Sequence, residues 1–393
     1  MTASRFHNLP ESPFVRLRAL LSEDPPGADI IDMTIGEPRH PQPGFIADAI
    51  AREAEGFGRY PPINGTSELR AAIAAWANRR YDLGEALDPD RHIAPLSGTR
   101  EGLFYAAAFL LPDKYNPVML LPNPYYPVYA AAAMNAGAEP VYLNCGPGTG
   151  FLPDLAALTP ELLARTAGFY MCSPSNPQGA VAPPEYLAEL LRLARRHDFV
   201  LIMDECYGEI YTGAPPPGSL AVAAKSGGFK NLLAFHSLSK RSNLPGLRSG
   251  FCAGDEDLVA RFLRLRNVAG PQTPLPLQTA AAAAWSDEDH VEQNRRLYRA
   301  KFDAADEILG SRFGYRRPGG GFFIWLDMRA HGGGEAAALE LWRGAGLRTI
   351  PGAYLGADTP GGNPGADFLR IALVQNEELT REGLTRLVGV LEE

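Results

Sequence analysis

One lysine of this chain stands among residues that could make its amine reactive. Lys240 lies in the stretch HSLSKRSNLPGLRSG, with Ser237 and Ser239 just before it and Arg248 a short loop after it. A lysine held out of water near other cations loses proton affinity and becomes a nucleophilic amine. The stretch is compatible with three roles: a surface turn, a Ser-x-x-Lys nucleophile, or a lysine that forms a Schiff base beside a phosphate site.

Charged side chains also occur where apolar strands are expected. Asp204 follows the apolar run VLIM, and a buried carboxylate needs a partner, such as a protonated pyridine nitrogen or an arginine. Tyr207 follows closely and could donate a hydrogen bond to a phenolate oxygen. Arg370 lies in the apolar stretch FLRIAL. Its planar guanidinium suits a carboxylate, which either a substrate or a structural ion pair would supply.

Two loops carry groups that suit a phosphate and a ring oxygen. Ser97, Gly98 and Thr99 open a predicted helix in SGTREG, where free backbone N–H groups and hydroxyls bind anions. An ordinary helix N-cap explains the same residues. Asn176 lies between prolines in SPSNPQG, where it could hold a ring oxygen or serve only a turn.

These polar groups follow short apolar runs that alternate with helical stretches. The runs at 117–124, 167–177 and 198–207 end in polar or proline-rich residues, whereas 183–197 has helical periodicity. The pattern predicts an α/β fold with a mostly parallel sheet flanked by helices. Ligands bind beyond the carboxyl ends of such strands, so we expect the polar residues to meet there.

The character of the chain changes near residue 290. A charged helix is expected at about 288–310, followed by GGGFFIWLDM, another helix, FLRIALV and a final helix. We therefore predict a large domain over 46–287 and a smaller α+β domain over 288–393. The N-terminal segment 1–45 is expected to pack on the small domain.

Composition narrows the class of protein. The 393 residues are 46% hydrophobic and carry a formal charge of -8, which argues against a nucleic-acid-binding protein. No apolar run reaches the roughly 18 residues of a membrane span. Four scattered cysteines form no metal-binding pattern, and the N-terminus has no hydrophobic signal core. We expect a cytoplasmic protein with reduced thiols, no metal site and no membrane partner.

The motifs occur in an order that resembles the class I and II aminotransferases of fold type I, which use pyridoxal 5′-phosphate (PLP). In chain order the motifs are GEP (36–38), YPPINGTSELR (60–70), SGTREG, NPYYPVY (123–129), SPSNPQG, DECY, SLSK…GLRSG, PGGGFFIW and FLRIAL. The resemblance covers nearly the whole chain. The stretches FHSLSKRSNLPGLRSGF and SPFVRLRALL…IGEPRHPQP look most like bacterial succinyldiaminopimelate aminotransferases.

The resemblance implies a large domain with a mostly parallel mixed sheet, and a role for each residue. Lys240 would hold PLP as a Schiff base and then act as general base, while Asp204 would keep the pyridine nitrogen protonated. Arg370 would bind the substrate α-carboxylate, assisted by the backbone of Gly36 and by Asn176. The other cofactor contacts would be Tyr207 and Asn176 at the ring 3-oxygen, Tyr125 on the ring face, and Ser97, Gly98, Thr99, Ser237, Ser239 and Arg248 at the phosphate.

The same resemblance implies a homodimer, in which Tyr60 reaches the phosphate of the neighbouring subunit. The expected reaction moves an amino group between glutamate and N-succinyl-2-amino-6-oxopimelate. Arg39, His40 and Arg100 flank the motifs and are candidates to bind the further carboxylates of that substrate.

Other functions remain compatible with parts of the pattern. An aspartate, alanine or aromatic aminotransferase, or a PLP-dependent C–S lyase, would use the same lysine, aspartate and arginine. An acyl hydrolase with Ser237 as nucleophile would also need the motifs S-D-N and K-T-G, which the chain lacks. A DNA-binding regulator on this fold would need an added domain, for which the stretch before DMTIGEP is too short.

Overall fold

The computed structural model of the chain describes residues 9, 11–110, 112 and 114–392. Within these residues the α-helices are α1 (Pro13–Leu21), α2 (Ile46–Arg52), α3 (Ser67–Tyr81), α4 (Thr99–Leu110), α5 (Pro127–Asn135), α6 (Pro160–Arg165), α7 (Pro184–His197), α8 (Ser219–Lys225), α9 (Leu238–Arg241), α10 (Glu256–Ala269), α11 (Leu275–Ser286), α12 (Asp289–Leu309), α13 (Gly334–Ala345) and α14 (Glu377–Leu391). The strands are β1 (Ile31–Asp32), β2 (Ile93–Leu96), β3 (Val118–Asn123), β4 (Glu139–Asn144), β5 (Thr166–Cys172), β6 (Val200–Asp204), β7 (Leu232–Ser237), β8 (Gly250–Gly254), β9 (Phe323–Asp327), β10 (Leu347–Arg348), β11 (Ile350–Pro351) and β12 (Phe368–Ala372).

Seven strands form the large sheet in the order β2-β8-β7-β6-β5-β3-β4. All neighbours are parallel except β8, which runs antiparallel to both β2 and β7. Every residue of β5, β6 and β7 is buried, because helices cover both faces of the sheet. The predicted α/β class with a mostly parallel mixed sheet is confirmed.

The register of the central strands brings their carboxyl ends to one edge. Cys172 of β5 pairs with Asp204 of β6, and Asp204 pairs with Phe235 of β7. The residues that follow these strands therefore emerge side by side, as expected for a ligand site in a sheet of this type.

A second, smaller unit is built from the N-terminal segment and the C-terminal part of the chain. Strands β11, β12 and β9 form an antiparallel sheet, and β1 pairs with β10 in parallel. Helices α12, α13 and α14 pack with these strands around a separate apolar core that includes Met33 and Leu384. Helix α1 contacts α13 and β11. The domain boundaries at 45/46 and 287/288 remain predictions.

Local signals in the sequence account for several helix ends. The Thr66 hydroxyl accepts a hydrogen bond from the backbone N–H of Leu69 at 3.2 Å, which caps α3. The helix ends at Tyr81, and Asp82, which caps it, has a φ of 52° in the left-handed region. In the described part of the chain, no helix is both long and apolar enough to cross a bilayer.

Candidate active site

The reactive lysine is positioned by a short helix at the end of β7. The Ser237 hydroxyl accepts a hydrogen bond from the backbone N–H of Ser239 at 3.1 Å and so caps α9. Lys240 follows within this helix, and its amine donates to the carbonyl oxygen of Gly36. The amine is therefore aimed at the N-terminal loop that carries the motif GEP, whereas Ser237 serves the helix backbone.

The surroundings of the Lys240 amine favour its neutral form. The amine lies 5.5 Å from the ring centre of Phe322 and 5.9 Å from that of Tyr207. Burial lowers the pKa of Lys240 to about 8, and the positive charge of Arg370 acts in the same direction. In part of the protein molecules the Lys240 amine is then uncharged near neutral pH. A nucleophile or general base must be in this form.

Asp204 is a buried carboxylate bound by neutral donors. Its side chain is 6% exposed at the end of β6. The Tyr129 hydroxyl donates to Oδ2 at 2.7 Å, and the backbone N–H of Cys206 donates to Oδ1 at 3.2 Å. Neither donor carries a positive charge, so the carboxylate is suited to a cationic ligand such as a protonated ring nitrogen.

Arg370 lies in β12 with one side of its guanidinium already occupied. Its Nη1 donates to Asn176 Oδ1 at 3.0 Å, and its Nη2 donates to the carbonyl oxygen of Thr34 at 2.5 Å. The buried Nε has no hydrogen-bond partner among the described residues. Burial lowers the pKa of Arg370 to about 10, which still leaves the guanidinium charged at neutral pH. A buried cation with an unused N–H is suited to a carboxylate ligand.

Groups suited to an anion lie at the start of α4. Gly98 has a φ of +88°, and a Cβ at this position would lie 2.0 Å from Nη2 of Arg248. Arg248 itself adopts a left-handed conformation, and its Nη2 donates to the Ser97 carbonyl oxygen at 3.3 Å. Thr99 begins α4, so the free backbone N–H groups of the helix start lie beside this guanidinium. We refer to Gly98, Thr99 and Arg248 as the anion cradle.

The Ser97 hydroxyl does not face this cradle. It lies 3.2 Å from the carbonyl oxygen of Pro271 and 3.1 Å from the hydroxyl of Thr273. The hydroxyl thus holds the loop before α11, and the role of Ser97 at a phosphate stays a prediction.

The two adjacent tyrosines of NPYYPVY face different surroundings. Tyr125 packs its ring 5.0 Å from that of Tyr142. Tyr126 accepts a hydrogen bond from Arg100 Nε at 2.7 Å. Burial raises the pKa of Tyr126, and the nearby negative charge of Asp204 contributes to this shift. The role of Tyr125 on the ring face stays a prediction, and Tyr126, which lies near Asp204, is a second candidate for it.

Of the other predicted residues, Tyr207 lies near the Lys240 amine, whereas Tyr60 and Arg39 are exposed. Tyr207 is buried with its ring against Phe322 and Phe323, at 5.5 and 5.6 Å. Tyr60 is fully exposed, at 101% of its reference area, in the single chain. Arg39 is exposed as well. These positions leave the proposed roles of Tyr207, Tyr60 and Arg39 as predictions.

His40 does not serve as predicted. Its Nδ1 lies 2.6 Å from Asn294 Oδ1, so the ring is turned into α12 instead of toward the cleft. Burial, with a smaller contribution from the positive charge of Lys301, lowers the pKa of His40 to about 4. The imidazole is neutral at physiological pH and is not suited to bind a substrate carboxylate.

Two functional contacts were missed from the sequence. Tyr129, which bonds Asp204, closes the motif NPYYPVY, so its place in that motif was an available signal. The carbonyl oxygen of Thr34 bonds Arg370, and no side-chain pattern marks a backbone acceptor of this kind.

The fold and the groups around Lys240 define a PLP-dependent transferase of fold type I. Residues 28–387 match the family model "Aminotransferase class I and II", and the chain belongs to this family, whose cofactor is PLP. An LL-diaminopimelate aminotransferase of Desulforudis audaxviator is 34% identical over 397 residues, covering 99% of this chain and 97% of the relative.

Solved structures give the same result. An aminotransferase of Neisseria meningitidis has a TM-score of 0.93 and 38% sequence identity, and the match covers 98% of this chain and 99% of that one. A probable N-succinyldiaminopimelate aminotransferase of Thermus thermophilus has a TM-score of 0.83 at 27% identity, covering 96% of this chain and 100% of that one. The Ser-x-x-Lys hydrolase and the surface turn are thereby set aside as explanations of Lys240.

Proposed function

We propose that this chain transfers the amino group of glutamate to N-succinyl-2-amino-6-oxopimelate. The products are 2-oxoglutarate and N-succinyl-LL-2,6-diaminopimelate. The observation that carries transamination is the Lys240 amine, whose pKa burial lowers to about 8. It shares one site with the Nε of Arg370, which has no hydrogen-bond partner in the described part of the chain. The choice of substrate is supported by the resemblance of the stretches around Lys240 and Gly36, and by the name of the similar Thermus thermophilus structure, a probable N-succinyldiaminopimelate aminotransferase.

The residues present fit PLP. The anion cradle would hold its phosphate, because a side chain at Gly98 would overlap the Arg248 guanidinium and a free helix start lies beside it. Asp204 would take the ring nitrogen, since the two donors that bond its carboxylate are neutral. Asn176 and Tyr207 would contact the ring oxygen. When bound, PLP supplies an electron sink for the electron pair left behind by a departing proton.

Lys240 and Arg370 would carry out the remaining work on the substrate. The Arg370 guanidinium holds the α-carboxylate through Nε, with its other nitrogens fixed by Asn176 and Thr34. The Lys240 amine removes the proton from the substrate Cα, and a pKa of about 8 lets it both accept and return that proton near neutral pH.

Cationic side chains near the site would bind the substrate carboxylates that lie beyond its α-carboxylate. Arg39 is exposed on the loop after Gly36, and Arg100 lies at the start of α4 with its Nε on Tyr126. With His40 neutral, these two arginines are the remaining predicted partners for the succinyl and distal carboxylates.

Free LL-diaminopimelate is the second candidate substrate. The relative from Desulforudis audaxviator carries that name and is 34% identical to this chain. The same lysine, aspartate and arginine would serve it, and only the groups that meet the far end of the substrate would differ.

We also propose a homodimer as the working unit. Tyr60 is fully exposed in the single chain, and Phe57 on the same stretch is 59% exposed. An aromatic surface of this kind is suited to a partner subunit, where Tyr60 would reach the phosphate.

Absorbance spectroscopy on the PLP-loaded protein tests the function. Glutamate is expected to bleach the visible band of the bound cofactor, and the oxo acid that restores the band fastest identifies the acceptor. Of three oxo acids, N-succinyl-2-amino-6-oxopimelate, oxaloacetate and pyruvate, we expect the first to restore the band fastest. Bleaching by LL-diaminopimelate at a higher rate than by the succinylated amino acid would favour the second candidate.

Lys240→Ala is the matched variant, because it removes the amine and leaves the α9 cap at Ser237 in place. It should bind PLP without turnover. A Lys240→Ala protein with wild-type transamination would overturn the proposal, and a band that no amino acid bleaches would shift it toward a lyase.

A further inference from the structure

A buried amide joins the lysine to the loop in front of it. Asn294 of α12 is 3% exposed. Its Oδ1 accepts hydrogen bonds from His40 Nδ1 at 2.6 Å and from Asn243 Nδ2 at 3.2 Å. Its Nδ2 faces the carbonyl oxygens of Lys240, at 3.5 Å, and Arg241, at 3.4 Å. One side chain thus connects the small unit's long helix, the N-terminal loop and the backbone of the reactive lysine.

The N-terminal loop is consequently attached to Lys240 at two points. The Lys240 amine donates to the Gly36 carbonyl oxygen, and the Lys240 backbone is linked through Asn294 to His40. The same loop begins just after Thr34, whose carbonyl oxygen holds Arg370. The relative positions of the amine, the loop and the carboxylate-binding arginine therefore depend on one chain of contacts.

The state of His40 fits a positioning role. Because Asn294 Oδ1 can only accept, Nδ1 of His40 must carry the proton, and Nε2 is then an unprotonated acceptor. That Nε2 is buried without a partner among the described residues. The ring lies 4.4 Å from the ring of Tyr298. His40 thus acts as a fixed neutral donor held by aromatic packing.

We propose that Asn294 and His40 are positioning residues for transamination, which hold the Lys240 backbone and the Gly36 loop at a set separation. This inference rests on the proposed role of Lys240 as the reacting amine. A displacement of about 1 Å in a reacting group can cost on the order of 100-fold in rate, so even a partial loosening of this linkage is measurable.

His40→Phe separates positioning from stability. Phenylalanine keeps a ring against Tyr298 but removes the donor to Asn294 and the unpartnered buried nitrogen. We expect an unfolding midpoint equal to or above that of the wild type. We also expect the limiting rate at which saturating glutamate bleaches the PLP band to fall about tenfold, with the glutamate dissociation constant within about twofold.

Asn294→Ala removes the whole linkage and should lower the limiting rate further. Gln293→Ala is its control, because Gln293 is the exposed neighbour on the same helix and should bleach at the wild-type rate. If Asn294→Ala does not fold, His40→Phe decides alone.

The outcomes distinguish this inference from the function on which it rests. A His40→Phe protein that bleaches at the wild-type rate refutes the positioning role, as does a rate that falls only in step with the unfolding midpoint. If Lys240→Ala is inactive in that case, the proposed function stands. Turnover by Lys240→Ala would instead refute the proposed function.

Discussion

The Arg370 guanidinium bonds the side-chain oxygen of Asn176 at 3.0 Å, although the two residues are 194 positions apart. This contact fixes the amide of Asn176, because its oxygen accepts from Arg370 and its Nδ2 is left to donate. A substrate carboxylate on Arg370 and a ring oxygen on Asn176 would therefore be held by one rigid pair. The contact joins the small unit to the large sheet at the site.

Arg370→Lys tests the carboxylate contact. Lysine keeps the charge but loses the planar fork that now bonds Asn176 and Thr34. Losing a charged hydrogen bond costs about 1.5–3 kcal/mol, so kcat/KM for glutamate should fall roughly 10- to 100-fold, mainly through KM. Steady-state kinetics measure this. Arg312→Lys, in an exposed ion pair with Glu392, should change neither constant. An unaltered KM in Arg370→Lys would place the carboxylate elsewhere.

Asp204→Asn and Glu205→Gln should separate catalysis from stability. The carboxylates are adjacent, but Glu205 bonds the backbone N–H of Ser219 at 2.7 Å and the Tyr81 hydroxyl at 3.1 Å, on the other face of the sheet. We expect Asp204→Asn to lower the glutamate bleaching rate by roughly 100-fold or more, since it removes a charge at the site of reaction. Glu205→Gln should alter the unfolding midpoint with little change in rate. Equal rates for the two variants would contradict the assignment.

Gly98→Ala should weaken cofactor binding. Its φ of +88° and the 2.0 Å approach of Arg248 Nη2 to the new Cβ both oppose a side chain. A strained backbone of this kind costs about 1–3 kcal/mol, so the PLP dissociation constant should rise about tenfold or more. Gly148→Ala is the control, because no atom of the residues that the structure describes lies within 4 Å of its added Cβ. Fluorescence titration with PLP measures both, and equal affinities would show that the cradle is not used.

Lys301 should make stability depend on pH. The amine is 2% exposed and donates to the Leu373 carbonyl oxygen at 3.0 Å. Burial lowers the pKa of Lys301 from 10.5 to about 7, so the unfolded chain binds more protons than the folded chain between these values. The free energy of unfolding should therefore rise with pH across this window in the wild type, relative to Lys301→Met. Urea unfolding of both proteins at several pH values measures the difference. Parallel curves would show that Lys301 is not neutralised on folding.

The sequence was sufficient for features that depend on local pattern. The apolar run before Asp204 predicted the strand that became Val200–Asp204, and the edge of the sheet where Asp204 and Ser237 meet follows from the parallel arrangement. The predicted helix at 183–197 corresponds to Pro184–His197. The apolar pattern of each element and the residues that end it lie within its own stretch of sequence.

Side-chain directions in loops were not predictable in the same way. Ser97 lies between a strand and a helix, and the groups that hold its hydroxyl come from Pro271 and Thr273, far along the chain. Tyr125 and Tyr126 lie in a loop that has neither helical nor strand periodicity. The sequence therefore does not indicate which of the two rings lies nearer Asp204. His40 is directed by Asn294, which is 254 positions away. Such choices depend on tertiary packing.

The edge strand β2 pairs with β8, whose residues come more than 150 positions later in the chain. The turn that follows β2 carries Gly98, and the loop before β8 carries Arg248. These two residues of the anion cradle therefore come together only when β2 pairs with β8. The N-terminal loop depends in turn on β10, which pairs with β1. Assembly is therefore governed by contacts that are distant in sequence, and such contacts form slowly. A nascent chain that ends before Arg248 and β8 would lack the anion cradle, so PLP uptake would mark a chain whose large sheet is complete.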